Sequence, residues 1–102
     1  MSEFPSYLIE FIGTFFFLSV ILVTGLPIPI AVALLAVIYL GGNVSGGHYN
    51  PAVSYMFWLS GGSSSSKTIA YIVSQYLGAT AAFYFYDQII KTNTIKGNTI
   101  SQ

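Results

Sequence analysis

The chain contains no cysteine and no arginine. Without cysteine there is no disulfide framework, no thiolate metal site and no sulfur nucleophile, and the redox compartment stays open. Charge of either sign is scarce. Glu3, Glu10, Lys67, Asp87, Lys91 and Lys96 are the whole inventory, 6% of the residues. A soluble domain carries about a quarter charged residues, and a short chain needs polar cover more than most because so much of its surface stays exposed. Formal net charge is zero and no basic patch exists, so nucleic acid is not an expected partner. A cleaved signal peptide fits poorly: Glu3 stands where a basic region belongs, and the first apolar run outlasts a typical signal core. One histidine and at most two deep carboxylates make neither an active site nor a place for a metal or cofactor. Neither an enzyme nor a cofactor is expected.

What the chain has is apolar mass, 54% of its residues. Lipid is then its expected solvent, and a multi-pass integral membrane protein its expected class, with the cell membrane as default host. The first apolar run, residues 7–24, spans about 27 Å as a helix, close to a hydrocarbon core of roughly 30 Å. It stops at Gly25-Leu26-Pro27-Ile28-Pro29, where proline blocks continuation. A second run, residues 29–44, dissolves into Gly41, Gly42, Asn43, Ser45, Gly46 and Gly47. The third, residues 67–90, is long enough to cross with some tilt. A polar tail, residues 92–102, is expected to be loosely ordered.

Between the second and third runs lies an apolar stretch, residues 50–60, closed by glycines and a serine run. Asn50 is a favoured helix cap, and Pro51 suits a first turn, where its missing N–H costs nothing. Roughly ten helical residues cover about 15 Å, half a membrane. Two readings fit: a re-entrant half-helix, or a surface loop leading to an interfacial amphipathic helix. Under the first, the glycine-rich residues 41–49 must be buried in protein or line a watery cavity, because bare backbone is not tolerated in lipid.

Ser45-Gly46-Gly47-His48-Tyr49-Asn50-Pro51-Ala52-Val53 resembles the Asn-Pro-Ala signature of the aquaporin, or major intrinsic protein, family. Glu10-Phe11-Ile12-Gly13-Thr14-Phe15 resembles that family's first-helix motif, and Tyr71-Ile72-Val73-Ser74-Gln75-Tyr76-Leu77-Gly78-Ala79 its third-helix motif. The resemblance covers residues 7–90 and concerns the family's first repeat. It implies an all-α membrane fold, one domain of three transmembrane helices plus a re-entrant half-helix, half of an aquaporin-like fold.

It also implies a channel for water or small uncharged solutes such as glycerol. Asn50, Pro51 and Ala52 would meet the pore, with Asn50 offering an amide donor. The backbone of Gly46, Gly47, His48 and Tyr49 would supply carbonyl acceptors. The half-helix terminus, with about half a positive charge, would disfavour cations. Glu10 would be buried and brace the loop, although snorkelling to the interface is its plainer use. Gln75 fits interhelical bonding, and Gly13 and Gly78 close helix packing. The resemblance places His48 in the loop, either as a pore-side residue or as a buried group satisfied by a loop carbonyl, with its protonation undetermined.

Two departures from the family pattern matter. Only one repeat is present, so a pore needs a second half, most simply another copy inserted in the opposite orientation. Lys67 on one side against Lys91 and Lys96 on the other sets almost no orientation bias, which suits antiparallel homodimers. The alternative is a non-conducting accessory subunit or a fragment. In addition, Val53 follows Asn-Pro-Ala where the family's second repeat places arginine. In a homodimer Ile30 of one copy and Val53 of the other would form an apolar neck, with Phe17 facing the pore.

Overall fold

The computed structural model describes residues 3–92. Among them every regular element is helical: α1 (Phe4–Thr24), α2 (Pro27–Ser45), α3 (Pro51–Leu59) and α4 (Ser65–Phe85), the last running into a π-helical turn at Tyr86–Ile90. Each boundary has a local cause. Pro5 opens α1, and Gly25 closes it in the left-handed region at φ 59°, its N–H bonded to the Ile21 carbonyl. Leu26 is extended ahead of Pro27, the conformation a following proline favours, and the chain turns directly into α2. Ser64 caps α4 by accepting from the Lys67 N–H.

α1 is the central element, packed most extensively on α4 and then on α2, while α3 packs on α4. Gly78 permits the α1–α4 approach. A Cβ there would lie 2.8 Å from the Phe11 carbonyl oxygen.

The burial pattern is inverted relative to a soluble fold. Glu10, Thr14, Ser45, Ser54, Ser74 and Gln75 are buried, whereas Leu40, Ile28, Phe4 and Leu59 are exposed. Both α1 and α2 are long and apolar enough to cross a membrane, yet only 22% of either crossing window is buried inside the protein. A core helix of a soluble domain would be mostly covered. α4 equals α1 in length at 21 residues, and much of its polarity, Thr68, Ser74 and Gln75, lies on the buried face.

One expectation needs correction. The second run does not dissolve at Gly41: α2 continues through Gly41 and Gly42 to Ser45, so only residues 46–50 between α2 and α3 are non-helical. Gly41 serves packing instead of breaking the helix, whereas a Cβ on Gly42 would meet nothing within 4 Å. A Cβ on Gly41 would collide with the Tyr49 hydroxyl and with Ile9. The third run changes character before its end, with Tyr86–Ile90 taking a wider helical turn. The expected half-helix is present as the nine residues of α3. The expected tail falls almost wholly outside the described residues.

Candidate functional site

The loop between α2 and α3 is held from below by one carboxylate. Glu10, on α1, is fully buried. Its Oε1 accepts from the Tyr49 N–H at 2.7 Å and from the Gln75 amide at 2.9 Å. Its Oε2 accepts from the Ser45 hydroxyl at 2.8 Å and the His48 N–H at 3.0 Å. All of these partners are donors, which is what a carboxylate acceptor needs. Glu10 therefore does not snorkel; it braces the loop.

The same bonds orient the loop backbone. The N–H of Gly47 goes to the Ser45 hydroxyl, and those of His48 and Tyr49 go to Glu10. With these donors drawn inward, the carbonyls of Gly46, Gly47, His48 and Tyr49 accept no hydrogen bond among the described residues. Gly46 and Gly47 have φ of 91° and 69°, and Tyr49 adopts 53°. For tyrosine that conformation costs about 1–3 kcal/mol. It is offset by burial of the ring against Gly13 and by the hydroxyl's 2.6 Å bond to the Val37 carbonyl.

α3 begins where the loop ends. Asn50 Oδ1 accepts from the Ala52 N–H at 2.8 Å, the expected cap, and its amide nitrogen has no partner among the described residues. Phe17, Tyr49, Asn50, Pro51 and Gln75, with Thr14, line one cavity of about 270 Å³. Ile30, at the start of α2, and Val53, on α3, do not line it. Ala52 is exposed one residue further on.

A model of the major intrinsic proteins matches residues 1–101. The chain belongs to the major intrinsic protein family. Members of this family are integral membrane channels, not enzymes, and the exposed apolar helices here agree with that class. Among its relatives, the chain is 35% identical over 69 residues to the glycerol uptake facilitator protein of Buchnera aphidicola subsp. Acyrthosiphon pisum, covering 59% of this chain and 26% of that protein. It is 38% identical over 58 residues to aquaporin Z of Photorhabdus laumondii, covering 57% and 25% respectively. Against aquaporin TIP1-2 of Zea mays it is 42% identical over 52 residues, 51% of this chain and 20% of the relative. These matches thus span about a quarter of each relative's length or less. No solved structure matches.

Within this family member, several site residues were not assigned from sequence. Ser54 is 1% exposed; it accepts from the Gln75 amide at 2.9 Å and lies 2.8 Å from His48 Nδ1. Tyr71 donates to the Ser45 carbonyl at 2.6 Å, and its ring meets the His48 ring edge-on at 5.0 Å. Phe57 stacks on the other side of His48 at 4.8 Å. Ser54 carried one signal, a hydroxyl in an otherwise apolar half-helix. Tyr71 carried none, since its partner is 26 residues away.

Proposed function

We propose that this chain builds one half of the wall of a facilitative channel for water or small uncharged solutes such as glycerol. The observation that supports it most is the run of carbonyls from Gly46 to Tyr49, unbonded among the described residues, leading to the Asn50 amide nitrogen, likewise unbonded among them. Backbone acceptors at membrane depth need water or protein beside them. A polar file along the loop meets that need and gives passing solutes an acceptor series ending in a donor.

The second half of the wall comes from association, with an antiparallel copy of this chain as the proposed partner in the bilayer. The even lysine distribution supports insertion both ways. The necks between copies would then be Ile30 against Val53, beside Phe17. With no arginine in the chain, cation exclusion falls to the half-helix dipoles.

The test is osmotic shrinkage of vesicles holding only the purified chain, beside empty vesicles, first for water and then for glycerol. Shrinkage faster than in empty vesicles, lost in Asn50→Asp, is the expected result. Aspartate keeps the cap but replaces the amide donor with a charge. Folded protein that shrinks no faster than empty vesicles contradicts the reading. A cysteine placed at Ser63 would be the sole thiol, and in a conducting preparation it should react with impermeant reagent from both sides. Labelling from one side only rules out the antiparallel pair. The second reading is a non-conducting accessory subunit or a fragment of a full-length channel. The same vesicles separate the two.

A further inference from the structure

His48 is the sole histidine of the chain, and the bonds around it determine which of its nitrogens carries the proton. The Glu10 carboxylate is acceptor-only, so the group of Gln75 that lies 2.9 Å from it is the amide nitrogen. The same nitrogen lies 2.9 Å from Ser54 Oγ and donates its second hydrogen there. Ser54 has one hydrogen of its own. Its one other partner among the described residues is His48 Nδ1, at 2.8 Å. A hydroxyl hydrogen buried in a 1%-exposed residue needs an acceptor, and Nδ1 is the acceptor within reach.

We infer that Ser54 and Gln75 are positioning residues that hold His48 as the neutral tautomer with its proton on Nε2, making His48 a fixed hydrogen-bond donor beside the loop. The chain of donation runs from Gln75 to Ser54 to Nδ1, anchored at Glu10. Were Nδ1 to carry a proton instead, Ser54 would receive two donors and its own hydrogen would have no acceptor.

The ring is held in place as well as in tautomer, between Phe57 and Tyr71. Nε2 has no partner among the described residues and lies on the side of exposed Gly46, where a Cβ would come within 3.4 Å of it. It therefore stands at the start of the run of unbonded carbonyls, with the Asn50 amide at the other end. The tautomer does not depend on conduction. The use of Nε2–H as a donor to the oxygen of a passing water or alcohol rests on the channel reading proposed above.

Nitrogen NMR of the bilayer-reconstituted chain, with isotope-labelled histidine at mildly alkaline pH, tests the inference on a single residue. The native chain should show one tautomer, protonated on Nε2. In Ser54→Ala a second signal from the Nδ1–H form should appear, and Ser54→Thr should restore the single signal. A native Nδ1–H tautomer, or an unmixed Nε2–H signal in Ser54→Ala, overturns the inference. If Ser54→Ala does not fold, Gln75→Leu takes its place, with the same mixture expected and the same unmixed signal as the contrary result. Vesicles that fail to conduct while the tautomer is found as expected would count against the channel reading alone.

Discussion

Two hollows of similar size flank Tyr49, and they are built for different solvents. One, about 300 Å³, lies between α1 and α2 and is lined by Ile9, Ile12, Phe16, Val37 and Leu40. The other, about 270 Å³, is lined by Thr14, Asn50 and Gln75 among apolar neighbours. The first needs nothing beyond hydrocarbon contact. The second meets the loop at Tyr49 and Asn50, where the Tyr49 carbonyl accepts no hydrogen bond among the described residues and the His48 and Tyr49 N–H groups are drawn to one carboxylate. The difference shows where the stability of this fold resides. In lipid the apolar exterior has no hydrophobic drive to pack, so close helix contacts at small residues such as Gly78 and the buried polar bonds hold the structure together.

Substitutions on either side should separate these roles. Glu10→Leu removes the acceptor of four donors at once. Each orphaned donor costs about 1–3 kcal/mol, so thermal unfolding in detergent should show loss of the folded state. Survival with an unchanged midpoint would break the comparison. Gly13→Leu comes next, since even a Cβ there meets the Tyr49 ring. Overpacking should cost about 1–3 kcal/mol by the same assay and displace the loop.

Tyr49→Phe removes one bond, to the Val37 carbonyl, and should cost about 1 kcal/mol. The smallest effect belongs to Leu40→Ala on the outer face. Leu40 is 83% exposed, and its loss should change stability by no more than about 0.5 kcal/mol. A cost for Leu40→Ala above that of Tyr49→Phe would mean that the outer hollow is a protein contact, not a lipid one.

Much of this arrangement was legible in the sequence. A lone carboxylate in an apolar run and an asparagine–proline pair ahead of a short, largely apolar stretch, residues 52–59, are local signals, and both marked the candidate site. The extent of α2 was legible to within two residues as the run 29–44, but its staying helical through Gly41 and Gly42 was not. Gly41 and Gly42 read as helix breakers, but here Gly41 makes room for the Tyr49 hydroxyl, and that contact depends on a loop folding back onto its own helix. The roles of Ser45, Ser54 and Tyr71 were hidden for a related reason. Periodicity shows which face a residue occupies, not which hydroxyl meets which carbonyl or carboxylate across 26 or 35 residues. Ile30 and Val53 are a different case, because the neck they would form requires two copies.

The central claim is that Glu10 holds the loop by its backbone. Amide hydrogen exchange of His48 and Tyr49 tests it most directly, in the native chain and in Glu10→Gln. Both amides should be protected in the native protein, and both should exchange faster in the variant while amides in the middle of α1 keep their rates. Unchanged protection at His48 and Tyr49 in Glu10→Gln would contradict the account.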